Sequence, residues 1–303
     1  MQKIHIPLTV KYLRKGDYLR NYKLATRDTG RLMLFAGDQK IEHLNDDFFG
    51  KGIHLEDSNP EHLFQIASQA KIGVFAAQIG LIAKYGRDYK KIPYLIKLNS
   101  KTNLIPANQQ DPHSQLLTTV SDALRFSRQS GLKIVGIGYT LYPGSEFESA
   151  MLAEAQQSIL EAHQNGLIAV LWIYPRGKAI KKENDPHLLA GMTGLACSLG
   201  ADFVKITAPQ NDTKNNLQEI IQAAGRTKVI FSGGSSVDPK KFLKTLKTQI
   251  ENGAQGNATG RNIHQLSTKE AIRMADAITA ISLFDHSVED AYKVFLGKKT
   301  FKK

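Results

Sequence analysis

Short apolar runs rich in Val, Ile and Leu alternate along the chain with longer stretches whose apolar residues recur at helical spacing. The runs fall at residues 31–37, 72–77, 93–99, 133–140, 167–174, 202–207, 228–232 and 253–259. Helical spacing is clearest at 147–165, where Met151, Ala155, Ile159 and Ala162 share one face, and at 269–282. Ser145 and Thr268 stand where N-caps of these two helices are expected. Strand-length runs separated by helices read as βα units on a parallel sheet. Eight such units with right-handed crossovers close into a barrel more economically than they spread into a doubly wound open sheet, which is the alternative.

The expected fold is therefore α/β, a single (β/α)8 TIM barrel. Residues 1–303 form one domain in this reading, with the barrel at about 31–285. Residues 1–30 are an N-terminal extension that covers the barrel bottom or reaches a neighbour. The polar stretch 101–119 lacks periodicity and is expected to be a long βα loop, of the kind that is functional or disordered. The basic tail 297–303 is expected to be disordered.

A length of 303 residues suits one barrel, about 250 residues being typical. The longest apolar runs, such as 166–174, fall well short of the roughly 20 residues that cross a bilayer, so no membrane partner is expected. The first 20 residues mix charges with short apolar stretches and do not read as an export signal. With Cys197 the only cysteine, no intrachain disulfide forms, and a cytoplasmic location is expected. Cys197 itself reads as a small core residue. The net charge of +12 raises the question of a nucleic-acid partner. The lysines are scattered in short doublets without interleaved aromatics, so a solvated basic surface is the better reading and no nucleic acid is expected. Such a field also attracts anionic substrates. The nine histidines show no metal-ligand spacing, and neither a metal nor a cofactor is expected.

Barrel enzymes carry their chemistry at the C-terminal ends of the strands. Side chains alternate across a strand, so Leu34, Ala36 and Asp38 share a face, as do Leu95, Lys97 and Asn99; Val170, Trp172 and Tyr174; and Phe203 and Lys205. With the apolar members inside the barrel, Asp38, Lys97, Tyr174 and Lys205 converge at its top. A lysine there is either paired with a carboxylate such as Asp38 or held as a free amine that attacks a ketone. Lys97 either lowers the pKa of Lys205 by like-charge repulsion or pairs with Asp38. Tyr174 opens the turn Tyr174-Pro175-Arg176-Gly177 and is either a proton shuttle, its pKa lowered by nearby positive charge, or a buried phenol with one hydrogen bond. Ser232-Gly233-Gly234 after the seventh strand and Gly260-Arg261 after the eighth occupy the places where barrels bind phosphate, although glycine turns also arise from geometry alone.

In order, Phe35-Ala36-Gly37-Asp38-Gln39-Lys40-Ile41-Glu42-His43, Gly144-Ser145-Glu146, the Tyr174 turn, Val204-Lys205-Ile206, Ser232-Gly233-Gly234 and Gly260-Arg261-Asn262-Ile263 resemble the archaeal-type class I fructose-bisphosphate aldolases, which also have bacterial members. The resemblance covers about residues 32–282. It implies a Schiff base on Lys205, acid/base work by Tyr174 and substrate orientation by Asp38. It also implies a phosphate site at Ser232, Gly233, Gly234, Gly260 and Arg261, with Trp172 lining the site. Ser145, Arg176 and Lys97 complete the candidate substrate contacts. The activity so implied is reversible, metal-independent cleavage of fructose 1,6-bisphosphate, by a homo-oligomer that reaches a decamer in some members. Lys40 replaces a usual glycine, and Leu44-Asn45 a common Gly-Pro, which puts recognition of the substrate's distal end in question. The alternatives are a related Schiff-base aldolase, thiolase or transaldolase-like synthase acting on another phosphorylated keto compound, and a barrel that binds without catalysis.

Overall fold

The computed structural model describes residues 4–211 and 213–301. Eight parallel strands close into a barrel in chain order: β1 (Leu32–Ala36), β2 (Val74–Ala77), β3 (Tyr94–Lys97), β4 (Ile134–Leu141), β5 (Ile168–Ile173), β6 (Phe203–Ile206), β7 (Lys228–Ser232) and β8 (Gly256–Thr259). Each coincides with one of the predicted runs, β4 passing its end by one residue. Alternation sorts the side chains as expected. Leu34, Ala36, Leu95, Val170, Trp172 and Phe203 fill the interior, while Met33, Phe35, Ile96, Leu171 and Val204 pack outward under the helices. Gly138 on β4 makes room for the interior: a Cβ there would lie 2.4 Å from the Trp172 ring, so its absence lets the indole lie across the barrel.

The two sequence-legible helices are Glu148–Gln164, which buries Met151, Ala155, Ile159 and Ala162, and Thr268–Phe284. Neither expected cap residue is the cap. Ser145 closes the preceding turn instead, its Oγ donating to the Pro112 carbonyl (2.7 Å) and accepting from the Phe147 amide (3.1 Å). Ser267 caps the second helix by accepting from the Glu270 amide, and Thr268 is its first residue. An offset of one position at Thr268, and of two at Ser145, decides which residue stands at the cap.

The helix Lys15–Thr26 lies across the bottom of the barrel, with Tyr18, Tyr22 and Ala25 joining the interior cluster. Asp202, just before β6, anchors it. The carboxylate accepts from the Tyr18 hydroxyl (2.5 Å) and the Ala169 amide (2.8 Å) and lies 3.1 Å from His163 Nε2. The loop 101–119 is ordered rather than free. Asn99 holds its far end through the Ser114 carbonyl, and Asp111 accepts from the amides of Glu146 (2.9 Å) and Lys178 (2.8 Å), tying together the loops after β3, β4 and β5. The tail also docks as far as it is described. Phe301 is buried against Phe284 and His286, and that contact fastens the tail to the end of the helix Thr268–Phe284. Lys302 and Lys303 lie outside the described residues. No helix among the described residues is long and apolar enough to cross a membrane.

Candidate active site

At the C-terminal mouth of the barrel is a cavity of about 160 Å³. β1 and the helix behind it contribute Asp38, Gln39, Glu42 and His43; β5 contributes Trp172, Tyr174 and Arg176; β6 contributes Lys205 and Thr207. Ser232, Gly233 and Gly234 after β7 and Gly260 and Arg261 after β8 close the wall. A larger cavity, about 610 Å³, opens at the other end among Ile4, Ile6, Leu8, Tyr22 and Val229. The reactive side chains converge on the smaller one, which is therefore the candidate site.

Lys205 follows Phe203 on the inward face of β6 and is 5 % exposed. Burial holds its amine below the ordinary lysine range; Asp38 and Glu42 oppose that shift and Arg261 adds to it. No salt bridge engages the amine among the described residues, and the Trp172 ring lies 5.2 Å away. Asp38 faces the same space, with Oδ1 buried and unpartnered. An amine without an ion pair, beside an acceptor with no donor, is an arrangement that a polyhydroxy ketone completes.

Tyr174 behaves otherwise than its surroundings first suggest. Arg176 and Arg261 do pull its phenol down, but burial pushes it well above the ordinary value, and Glu42 and Asp38 push the same way. At rest it is a neutral acid. Lys97 is set back from the cavity wall. Its amine donates to the Asn99 carbonyl (2.7 Å) and Oδ1 (3.1 Å), neither ion-paired with Asp38 nor open to the cavity, and burial brings it down to about 8. Ser145 is likewise absent from the wall, its hydroxyl committed to the turn already described. Arg176 lines the mouth but is held by Glu183 at 3.1 and 3.2 Å. Lys40 turns away, its amine 4.0 Å over the Phe48 ring, so the lysine in place of glycine does not enter the cavity.

The two glycine turns are built for each other. Asn262 donates to the carbonyls of Gly233 (2.9 Å) and Ser235 (3.0 Å) and accepts from the Val237 amide (3.0 Å), locking one turn to the other. Gly234 adopts φ +65°, which favours glycine. Arg261 lies 3.6 Å from Asp47 and keeps a buried, unpartnered Nε. Backbone amides, a serine and a guanidinium at one spot fit a phosphate. Sequence reasoning gave no role to Gln39, Glu42, Tyr142 or Asn262. Glu42 accepts from the Tyr142 hydroxyl at 3.0 Å. A carboxylate on the inward turn of the helix Gln39–Glu42 is the signal that could have found it.

A buried amine of lowered pKa, a protonated phenol, an open carboxylate and an anion cradle together can run Schiff-base chemistry on a phosphorylated ketone. The comparisons agree with that chemistry. Residues 32–266 match the DeoC/LacD family aldolases. The fructose-bisphosphate aldolase/6-deoxy-5-ketofructose 1-phosphate synthase of Methanocaldococcus jannaschii is 55% identical over 98% of this chain and 96% of its own length. The class 1 fructose-bisphosphate aldolase of Halobacterium salinarum is 30% identical over 86% of this chain and 94% of its own length. Among solved structures, a fructose-bisphosphate aldolase from Slackia heliotrinireducens superposes with a TM-score of 0.97 at 51% identity, covering 99% of this chain and 96% of that one. An archaeal fructose-1,6-bisphosphate aldolase, solved with its catalytic lysine covalently bound to the carbinolamine intermediate of the substrate, gives 0.77 at 28% identity, covering 88% and 99%. With the barrel matched almost throughout and a relative more than half identical nearly end to end, the chain belongs to the DeoC/LacD family of aldolases, among the class I fructose-bisphosphate aldolases of archaea and bacteria.

Proposed function

We propose that this chain reversibly cleaves fructose 1,6-bisphosphate to dihydroxyacetone phosphate and glyceraldehyde 3-phosphate through a Schiff base on Lys205. The observation that carries the reading is the buried Lys205 amine, which shares one cavity with Asp38, Tyr174 and the paired glycine turns. Phosphate bound at Ser232, Gly233, Gly234, Gly260 and Arg261 fixes one end of the ketose. Lys205 attacks C2, and the Tyr174 phenol protonates the leaving hydroxyl of the carbinolamine, giving the iminium and a phenolate. That phenolate, a strong base in its buried setting, takes the C4 hydroxyl proton as the C3–C4 bond breaks. The electron pair flows into the iminium, an enamine forms and the aldehyde leaves. Tyr174 returns the proton to C3, and water attacking the iminium releases dihydroxyacetone phosphate and the free amine. The iminium is the electron sink, so the step needs no metal.

A second reading is favoured by the dual name of the M. jannaschii relative. The Lys205 enamine is kept, and another carbonyl acceptor replaces glyceraldehyde 3-phosphate, in a transaldolase-like synthesis. Arg176 supports this, because Glu183 already neutralises that cation at the cavity wall, which leaves less demand for a phosphate on the acceptor. Intact mass after borohydride reduction with dihydroxyacetone phosphate tests both. The wild type gains one reduced adduct and Lys205→Met gains none; a wild type that gains none sinks the Schiff-base reading. Offering glyceraldehyde 3-phosphate and an unphosphorylated 2-oxoaldehyde in turn then separates the first reading from the second.

A further inference from the structure

The cavity of about 610 Å³ at the bottom of the barrel lies at the opposite end from Lys205 and shares no lining residue with the mouth. The segment 4–10 straps across it. Ile4 and Ile6 pack toward the interior cluster, Val10 is buried, and Thr9 Oγ1 lies 2.7 Å from His163 Nδ1, which pins the end of the strap. Tyr22 and Val229 supply further apolar wall. Small-molecule sites of roughly 300–1,000 Å³ combine such walls with a few placed polar groups. Here those groups are cationic. Lys228 opens β7 in register with Phe203 and two residues before Ile230 of the interior, so its side chain starts inward at the barrel floor. Its amine donates to the Gly30 carbonyl at 2.5 Å and lies 5.4 Å from the centre of the Tyr22 ring. Burial and the charge of Arg31 bring that amine down to about 8 while Asp202 opposes them, so at pH 7 it is still mostly an ammonium. Arg226, two residues earlier, is exposed at the rim. Among the described residues no carboxylate forms a salt bridge with either cation. Asp202 is the acidic member of the wall, and its oxygens are already occupied by the Tyr18 hydroxyl, the Ala169 amide and His163.

We propose that this cavity is a binding site separate from the mouth, for a small organic anion whose apolar body fills the space under the strap and whose acidic group pairs with Lys228 and Arg226. Charge decides the class. A half-buried ammonium without a counter-ion favours an anion, and a cation placed beside it would be repelled in surroundings that screen poorly. The apolar wall decides the body. A sugar phosphate would set its hydroxyls against Ile4, Ile6 and Val229, which offer them no hydrogen bond, whereas a ring or hydrocarbon body loses nothing there. The occupant is therefore not the substrate of the mouth, and the proposal holds whether or not Lys205 reacts. Because the cavity lies between the strap and the turns that enter β6 and β7, the occupant also holds the N-terminal segment on the barrel.

The experiment titrates wild type, Lys228→Met and Arg226→Gln with two fluorescent probes at pH 7. One is 8-anilinonaphthalene-1-sulfonate, and the other is N-phenyl-1-naphthylamine, which has the same rings and no sulfonate. Wild type is expected to bind the sulfonate saturably and about tenfold more tightly than the neutral probe. Lys228→Met is expected to remove that preference, and Arg226→Gln, at an exposed position, to weaken the sulfonate about two- to threefold. Both variants should hold the neutral probe within about twofold of wild type, since the apolar wall is unchanged. Saturating dihydroxyacetone phosphate should displace neither probe, and the bound sulfonate should slow amide exchange in residues 4–10. Equal affinity of wild type for the two probes overturns the proposal, as does a sulfonate affinity that neither variant changes. Displacement by dihydroxyacetone phosphate, or exchange protection at the mouth and not in the strap, also overturns it, by placing the probe in the other cavity. Should Lys228→Met fail to fold, Arg226→Gln and the displacement and exchange data on wild type decide the matter.

Discussion

Lys97 and Lys205 approach the same indole: the Trp172 ring lies 5.5 Å from one amine and 5.2 Å from the other. They sit on β3 and β6, with two strands between them, and both are buried. Their surroundings divide the work. Asn99 takes two hydrogen bonds from Lys97 and sets it behind the wall, while Lys205 faces the cavity with no such partner. Two buried lysines are costly to fold around, and only one of them is placed to react.

The first consequence concerns pH. In the proposed mechanism the nucleophile is the free amine of Lys205, and a lowered pKa extends the free amine to lower pH. The single-turnover rate of adduct formation, followed by trapping, is therefore expected to rise with pH and to level off below 10.5, the ordinary lysine value. A rate that keeps climbing beyond pH 10.5 would show an unperturbed lysine and sink the account.

Lys97→Met tests the hidden lysine through stability. The folded pKa of Lys97 is about 8 against an ordinary 10.5. Below pH 8 the amine is protonated in both states, and the folded state carries the cost of the buried charge. Between pH 8 and 10.5 the unfolded chain binds more protons, so stability rises with pH, by up to about 3 kcal/mol from this group. Lys228, also brought down to about 8 by burial, adds a rise in the same window. Urea unfolding across pH 7–10.5 should show a shallower rise in Lys97→Met than in wild type. Parallel curves would mean that Lys97 is not a buried, shifted amine.

Arg261→Leu removes the guanidinium from the proposed phosphate site and leaves Asp47 with His43 as its neighbour. A charge-assisted contact to phosphate is worth about 1.5–3 kcal/mol, so KM for the bisphosphate is expected to rise about ten- to hundredfold. The adduct with unphosphorylated dihydroxyacetone should still form in both proteins at saturating ketone and high pH, where the loss of the Arg261 charge beside Lys205 no longer matters. Equal KM values in variant and wild type would move the phosphate elsewhere.

Asp202→Ala acts at the other end of the barrel. The Tyr18 hydroxyl, the Ala169 amide and His163 all lose their acceptor in a buried site. The loss is expected to reach about 3–5 kcal/mol and to free the N-terminal helix, read as a lower Tm and faster amide exchange in residues 15–26. Trapping by the folded fraction should be unchanged. An unaltered Tm would show that the helix needs no such anchor.

Phe301→Ala checks the docked tail. Truncating an aromatic side chain packed on Phe284 and His286 is expected to cost about 3 kcal/mol of stability, at the low end for a buried phenylalanine. A change below about 0.5 kcal/mol would return the tail to the disorder first expected of it.

The sequence alone determined the number and order of the strands, and which residues face inward. Strand alternation is a local rule, and it placed Asp38, Tyr174 and Lys205 at one mouth, with Ser232 and Arg261 after the seventh and eighth strands. Tertiary structure decided what each of them does there. Lys97 obeys the same alternation as Lys205, yet Asn99 and the returning loop at Ser114 draw it back from the cavity. Ser145 reads as a cap and a substrate contact, yet its hydroxyl is consumed by the Pro112 carbonyl from a different loop. The Tyr174 phenol has two arginines near it and still moves up, because burial outweighs their charge. Gln39, Asp57 and His264 are separated by up to 225 residues in the chain and meet only because β8 closes against β1. Periodicity registers which way a side chain points from its own strand. It carries no information on the partners that barrel closure brings from elsewhere, and those partners set the charge, the donors and the open face of the site.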